Sequence, residues 1–182
     1  MKRSLTHVLL ALGVLALSAG LAQAQTTVTL PDTSQTTTLT ATVSEQARVL
    51  VPIGVTFNVT NVSNNTAAAG ASVTIDRIVL ATATKQFKVS LEANAAAFTP
   101  PASGATTWAP GDVSWNAATW TNATGASGTL SNAAFTAVAT CTAGVATCST
   151  TALVFTLAAK TTVQVSGNHT LTVTWKFESI GS

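Results

Sequence analysis

Cys141 and Cys148 are the residues whose type and spacing point most directly to chemistry. They are the only cysteines of the chain, seven positions apart, and Gly144 between them favours a turn. In an oxidising compartment this spacing predicts a disulfide across a hairpin or loop. A loop this short contributes about 2 kcal/mol, enough to fix a local turn rather than to hold the fold together. A two-cysteine metal site or a redox pair is the alternative, but no third ligand lies nearby and the spacing is not Cys-x-x-Cys.

Residues for catalysis are scarce in this sequence. His169 is the only histidine after residue 24, Tyr is absent, and the turn formed by Gly167 and Asn168 places this histidine where an exposed side chain is expected. The acidic residues are scattered singly, so a two-carboxylate hydrolase site would need distant residues to meet. The sequence also has no Gly-x-Ser-x-Gly elbow, calcium loop or phosphate-binding glycine motif. We therefore predict that the protein is not an enzyme and uses no metal or cofactor.

Trp108, Trp115 and Trp120 form the cluster that points most clearly to ligand binding. Sugar rings stack on exposed aromatic faces, and Asn116 with neighbouring Thr and Asn side chains would supply hydrogen bonds, so this segment fits a polysaccharide site. Because indoles are usually largely buried, the alternative is that the three tryptophans pack beneath long loops as part of the core.

The elements that would position these residues are β-strands. In residues 48–62 the apolar side chains recur at every second position, which places them on one face of an extended strand. They are Val49, Val51, Ile53, Val55, Phe57 and Val59. Pro52 lacks a backbone donor and Gly54 weakens a strand interior, so we expect an edge position or a kink there.

Further alternating segments predict a sandwich of two sheets. Residues 72–82 and 85–93 form strands joined as a hairpin, with a bulge near Asp76 and Arg77 restoring the register of the first. Shorter strands are expected at 112–120, 134–140, 152–157 and 169–178. No window has a sustained helical period. The fold class is therefore all-β, an antiparallel β-sandwich of the immunoglobulin-like or pilin-like kind with about eight to ten short strands.

An export signal opens the chain. Lys2 and Arg3 precede an apolar run at residues 8–17, and residues 22–24 form a small-x-small cleavage motif. Removal of residues 1–24 leaves 158 of the 182 residues, a size typical of one domain. No later apolar stretch approaches the roughly 20 residues that span a bilayer, so we expect no membrane span.

The exported part of the chain is close to neutral. Without Lys2 and Arg3, the eight basic residues become six, which equals the number of acidic residues. There is no basic cluster, and nucleic acids or anionic membranes require one, so neither is an expected partner. Charged residues make up 8% of the chain, against about 25% in typical soluble domains. Thr, Ser and Asn must therefore occupy most solvent-facing positions.

Residues 25–46 form a Thr-rich extension before the domain at 47–182. Leu39, Ala41 and Val43 alternate with threonines, which predicts a short strand. The simpler expectation is that this strand pairs within its own domain. The alternative is that it is an exchangeable strand that completes a neighbouring subunit by β-strand addition.

The last predicted strand resembles the closing strand of bacterial surface domains of the WxL type. The likeness rests on the sequence LTVTWKF at residues 171–177, preceded by GNHT at 167–170. The same residues are similar, more loosely, to terminal strands of the pilin-like spore-coat U group. This chain has Phe177 where the WxL pattern has Leu, and Trp115-Asn116-Ala117 does not supply a second copy of the pattern. Membership of the WxL group implies attachment to a cell wall.

Together these features predict an exported, non-enzymatic bacterial protein, a cell-surface or fibre-type structural or adhesion subunit. Its location would be the periplasm, the cell surface or the medium. Its partners would be further copies of itself or other surface proteins, joined by strand addition, because a neutral Thr-rich surface has few charges that keep strand edges apart. The alternative function is a secreted carbohydrate-binding module that uses the three tryptophans.

Overall fold

The computed structural model describes residues 25–181 and shows an all-β, sandwich-like fold. The chain divides into two compact units, the first ending at Ala41 and the second beginning at Thr42. The second unit contains eleven strands and one short 3-10 helix at Pro110–Asp112. The strands are β1 (Gln46–Leu50), β2 (Thr66–Ala67), β3 (Ala71–Val79), β4 (Gln86–Ala93), β5 (Val113–Trp115), β6 (Ala123–Gly125), β7 (Gly128–Thr129), β8 (Thr136–Cys141), β9 (Cys148–Leu153), β10 (Phe155–Leu157) and β11 (Val173–Ile180).

The first layer of the sandwich combines two hydrogen-bonded sheets, β1-β3-β9 and β2-β10-β5-β7. Ala67 of β2 pairs with Thr156 of β10, and Ile75 of β3 pairs with Cys148 of β9. Eight residues separate the paired positions on both sides, so β2 and β3 follow one another along β9 and β10, with a local irregularity between Ala71 and Val73. The two sheets therefore form one antiparallel layer with the order β1, β2–β3, β9–β10, β5, β7.

The second layer has the order β11-β4-β8-β6 and is also antiparallel. The predicted alternation of β4 is confirmed in part. Phe87, Val89 and Leu91 are buried and Lys88 and Glu92 are partly exposed, but Ser90, which was expected on the solvent face, is also buried. On β11, Trp175 and Phe177 are half-buried and lie opposite Leu91 and Val89 of β4. Apolar side chains of both layers form one core cluster.

The structure corrects the predicted hairpin between residues 72–82 and 85–93. The corresponding strands β3 and β4 both exist, but β3 pairs with β1 and β9, whereas β4 pairs with β11 and β8. The link between them therefore crosses from one layer to the other. The missing Asn-Gly or Gly-x turn chemistry agrees with this result, since tight hairpins depend on it.

The bulge predicted near Asp76 and Arg77 is confirmed. Gln46 pairs with Val79 and Arg48 with Asp76, so the span between these pairs is one residue longer on β3 than on β1. Arg77 has a positive φ of 51°, the left-handed conformation that occurs in the G1 type of bulge. The extra residue brings Ile78 back toward the core, against which it packs.

The long strand predicted over residues 49–59 is wrong. β1 ends at Leu50, and residues 51–65 belong to no strand. The prediction of which side chains face inward is nevertheless confirmed in part, because Val51, Phe57 and Val59 are half-buried against the core. Pro52 and Gly54 lie just after the point where the hydrogen-bonded pairing of β1 with β3 ends. This agrees with the expectation that both residues are unfavourable in a strand interior.

The extension does not contain the strand that was expected to pair within its own domain. Residues 25–45 belong to no strand, and their large apolar side chains are exposed, with Leu39 91% and Val43 69% accessible. The predicted export signal, residues 1–24, lies outside the described residues.

Candidate functional site

The second unit contains an open groove of about 1120 Å³. Two irregular segments border it, residues 52–60 after β1 and residues 163–172 before β11. These two borders are called the first wall and the second wall below. The start of strand β11, as far as Trp175, also lines the groove.

The first wall has backbone groups that no strand satisfies. Among the described residues, the single backbone hydrogen bond within 52–60 is a local one, from the Val59 N–H to the Phe57 carbonyl at 3.1 Å. Phe57 and Val59 face the core, while Val55 is 36% exposed. Backbone N–H and C=O groups that no neighbouring strand uses are able to pair with a further strand.

The second wall is held at one point and open along the rest. Thr170 exchanges two backbone hydrogen bonds with Thr99, at 2.7 and 3.0 Å. Gly167 has φ 132° and packs against Pro101, where an added Cβ would lie only 2.8 Å from the ring. Between Val163 and His169, in contrast, the described residues show no backbone N–H donated to another backbone carbonyl, apart from that of Val163 itself.

The side chain of His169 holds the second wall in place. The prediction that this histidine is an exposed turn residue is wrong, because the residue is half-buried. Its Nε2 lies 3.1 Å from the Val165 carbonyl, and its Nδ1 lies 2.8 Å from the Thr107 hydroxyl. The ring also meets the edge of Trp108, with centroids 5.1 Å apart. Since a carbonyl only accepts, Nε2 donates to Val165, and in the neutral ring Nδ1 accepts from Thr107.

The Thr107–His169 pair resembles the start of a nucleophile and base arrangement. A catalytic histidine needs a group that orients its second nitrogen, and here that group is the Val165 carbonyl rather than a carboxylate. The pair instead connects the loop before Trp108 to the second wall, which is a structural role for this geometry.

The floor of the groove is apolar and belongs to both layers. Leu91 comes from β4, whereas Trp115 and Phe155 come from β5 and β10. The rings of Trp115 and Phe155 meet edge to face with centroids 6.2 Å apart. The groove thus opens directly onto the core of the sandwich.

The groove carries no fixed charge. None of the described residues that line it is Asp, Glu, Lys or Arg. The nearest ion pair in sequence, Asp112 with Lys160 at 2.8 Å, holds the 3-10 helix against the chain after β10. Burial by itself raises the pKa of Asp112, but hydrogen bonds from Lys160 and from the Ala109 N–H lower it below its usual value. A site without fixed charge is better suited to an uncharged ligand than to a charged one.

The three tryptophans do not form the sugar-binding surface that the sequence offered as an alternative. Trp108, Trp115 and Trp120 are 5%, 3% and 8% exposed. The indole N–H of Trp108 donates to Ala158 O and that of Trp115 to Ala126 O, each at 3.0 Å. Their faces are therefore packed inside the protein and are not available for stacking on a sugar.

Asn116 is exposed, but both ends of its amide are used within the fold. Its Nδ2 donates to Ala152 O at 3.1 Å, and its Oδ1 accepts from the Val154 N–H at 2.8 Å. The side chain therefore bridges the break between β9 and β10. It is a structural residue rather than part of a ligand site.

Cys141 and Cys148 form the predicted disulfide. Among residues 25–181 there is no group of three His, Cys, Asp or Glu side chains that is placed to hold a metal ion. The second wall was not predicted from the sequence. Its apolar residues alternate only at Val163 and Val165, and Gly167 then ends the pattern. The kink predicted at Pro52 and Gly54 was the one local signal for the groove.

No helix within residues 25–181 has the length and apolar character that a membrane span requires. Comparison of the chain with protein families, with curated proteins and with solved structures gives no significant match.

Proposed function

We propose that this protein is an exported, non-enzymatic structural or adhesion subunit of a bacterial surface or fibre-type assembly, and that its groove accepts an extended strand. The observation that carries the proposal is the open, uncharged groove between two walls that belong to no sheet. A strand placed there would pair with the free backbone groups of both walls, which is the principle of β-strand addition.

The disulfide supports the exported location, since such bonds persist in oxidising compartments. The paucity of charge supports assembly, because sheet edges on soluble proteins are commonly guarded by charged side chains. The carbohydrate-binding alternative has lost its basis, since it depended on exposed faces of Trp108, Trp115 and Trp120.

Hydrogen–deuterium exchange of the wall amides tests the groove. The probe is a soluble peptide of sequence Lys-Thr-Val-Thr-Val-Thr-Val-Thr-Lys. The protein is the full exported chain with Leu39→Asp, which places a charge in the alternating apolar segment of the extension so that this segment does not compete with the peptide. We expect amides in 53–58 and 164–168 to exchange about tenfold more slowly with the peptide bound, because they then belong to a ladder.

A matched pair of variants makes this test specific. Val165 on the second wall and Val79 at the end of β3 are 38% and 39% exposed. Val165→Lys places a charge in the groove and should abolish protection, whereas Val79→Lys should leave it intact. Unchanged exchange at saturating peptide, or an equal loss in both variants, would refute a strand-accepting groove.

A further inference from the structure

Strand β11 lies at the border of the second layer, and one of its two edges is unpaired. Its eight residues, Val173–Ile180, pair with β4 without a register shift, and no other strand of the described chain pairs with them. The strand contains neither Pro nor a bulge, two of the features that keep edge strands of soluble proteins from pairing with another chain. Its free edge is therefore long and regular enough to pair with a further strand.

Alternate residues of β11 direct their backbone groups to this free edge. The Asn94 N–H donates to the Thr172 carbonyl at 3.0 Å, so the even-numbered residues of β11 are those that exchange hydrogen bonds with β4. The Ala93 N–H donates in the other direction, to the Ser131 carbonyl at 2.8 Å, as this alternation requires. The odd-numbered residues of β11 therefore have N–H and C=O groups that point away from β4. In the central part of the strand these are Trp175, Phe177 and Ser179.

The aromatic side chains of β11 belong to the same odd-numbered positions. Trp175 and Phe177 are both half-buried, and their rings stack with centroids 6.4 Å apart and planes 5° from parallel. Phe177 also stacks on Phe87 of β4 at 6.0 Å. A strand that paired with the free edge would lie beside this row of rings and remove more of its apolar area from water.

The opposite face of β11 carries one negative and one positive side chain. Glu178 Oε2 lies 2.6 Å from Lys176 Nζ, and Glu178 Oε1 lies 3.3 Å from Nζ of Lys88 on β4. The hydrogen bond from Lys176 lowers the pKa of Glu178, so this carboxyl is ionised at neutral pH. The side chains of Lys176 and Glu178 are still 44% and 27% exposed, so both remain accessible to a second chain.

These two charges select one way of pairing two copies of β11. If the copies run antiparallel about a two-fold axis at Phe177, Lys176 lies directly opposite Glu178 of the partner subunit, and symmetry repeats this contact. An axis at residue 176 or 178 would place like charges opposite each other, which is destabilising. The axis at Phe177 also pairs odd-numbered residues with odd-numbered residues, as the free hydrogen-bonding groups require.

We infer that the free edge of β11 is a dimerisation surface, on which a second copy of this chain pairs its own β11 about a two-fold axis at Phe177. The second layers of the two copies, each of four strands, then form one continuous antiparallel sheet. The groove reaches β11 only as far as Trp175. Most of the dimerisation surface therefore lies beyond the proposed strand-accepting site, and the inference does not depend on that site.

The dimer should be weak and sensitive to salt. One strand edge supplies about six backbone hydrogen bonds, and the two ion pairs across the axis are exposed to water and screened by salt. β11 is already held by β4, and Ser179 Oγ donates to Glu45 Oε1 at 3.2 Å, so little further ordering is needed on association. For an interface of this size we expect a Kd of about 10 to 100 μM.

A pair of charge-reversal variants tests the inference. Lys176→Glu leaves two negative charges on β11 and Glu178→Lys leaves two positive ones, so each variant repels a second copy of itself across the axis. In an equimolar mixture every charge on one strand lies opposite its counterpart on the other. Sedimentation equilibrium of the full exported chain measures the Kd. We expect dimerisation to be about tenfold weaker for each variant alone, and to return to within about threefold of the unaltered chain in the mixture.

Two controls make the same changes in net charge away from the edge. Arg77→Glu alters an exposed residue of β3 in the other layer, and Glu92→Lys alters a partly exposed residue of β4. Both controls should dimerise like the unaltered chain.

Amide exchange followed residue by residue by NMR locates the contact. The amides of Trp175, Phe177 and Ser179 should exchange more slowly as protein concentration rises. The even-numbered amides of β11 should be protected at every concentration because they bond to β4, and their protection in each variant shows that the sheet is intact.

The inference is overturned if the unaltered chain stays monomeric at the highest concentration it tolerates, if the mixture dimerises no better than the single variants, or if the controls weaken dimerisation as much as Lys176→Glu. Protection of the Phe177 amide that is independent of concentration would show that the edge is covered within one copy, and would also overturn it. The peptide experiment reports on amides in 53–58 and 164–168, so failure of one proposal leaves the other in place.

Discussion

Cys141 is the last residue of β8 in one layer, and Cys148 is the first residue of β9 in the other, so their disulfide joins the two layers of the sandwich. Both side chains are at most 1% exposed. The spacing of the two cysteines predicts a bond that fixes a local turn. The bond does close a short loop. Because β8 and β9 belong to different sheets, it also links the two sheets at one end of the core.

Reduction and replacement of the disulfide should have separable effects. Reduction removes the cross-link but keeps both sulfur atoms in the core, and we expect a loss of about 2 kcal/mol in the free energy of unfolding. Cys141→Ala with Cys148→Ala also empties buried volume, so the loss should be larger by roughly 1 to 2 kcal/mol. Urea denaturation with and without reductant measures both. Equal losses in the two experiments would contradict a packing role for these side chains.

Gly128 on β7 should not tolerate a side chain. A Cβ at this position would lie 2.5 Å from Cζ2 of the buried Trp115 and 2.9 Å from Cγ2 of the half-buried Thr136. Gly128→Ala should therefore lower the free energy of unfolding by about 1 to 3 kcal/mol. Gly111 is the control, since a Cβ there meets nothing within 4 Å. A loss of the same size in Gly111→Ala would show that backbone effects, not the contact with Trp115, are responsible.

Thr107 should stabilise the second wall through His169. Thr107→Val keeps the shape of the side chain but removes the hydroxyl that lies 2.8 Å from His169 Nδ1. A net hydrogen bond contributes about 1 kcal/mol, so the Thr170 amide should exchange about fivefold faster. Exposed Thr106 is the neighbouring control, and Thr106→Val should leave the exchange unchanged. If Thr107→Val also leaves it unchanged, the His169 contact does not hold the wall.

The ion pair of Asp112 and Lys160 should make the free energy of unfolding depend on pH in the acidic range. The pKa of Asp112 is raised by burial but lowered overall by Lys160 and the Ala109 N–H. A lowered carboxyl pKa contributes stability that is fully present above the ordinary value, about pH 4, and is lost as pH falls through the folded-state pKa. Asp112→Asn should therefore cost about 1 kcal/mol at pH 7 and progressively less below pH 4.

Urea denaturation over a range of pH provides the measurement for this pair. Lys160→Met should reproduce most of the neutral-pH loss, and the double variant should lose less than the sum of the single variants because the two residues share one interaction. A deficit in Asp112→Asn that stays constant into acid would exclude the lowered pKa as its cause.

Local alternation in the sequence was sufficient for several elements of the fold. It located β3, β4 and β11, the bulge at Arg77 and the burial of Val113 and Trp115 on β5. Each of these depends on the two-residue period of an extended chain, which any short window of sequence displays. The pairing of Cys141 with Cys148 followed from their being the only cysteines.

The sequence by itself determined that the chain is all-β, nearly neutral in net charge and joined by one disulfide. Composition and the alternation of apolar residues suffice for this, because both are read from the sequence without knowing which strands are neighbours. Only the tertiary structure decided which strands are neighbours, that β3 and β4 lie in different layers, and that the tryptophans are buried. It also decided that residues 52–60 line a groove instead of joining a sheet. The physical reason is that a strand's backbone hydrogen bonds go to residues distant in sequence, so alternation predicts a face but not the partner that pairs with it.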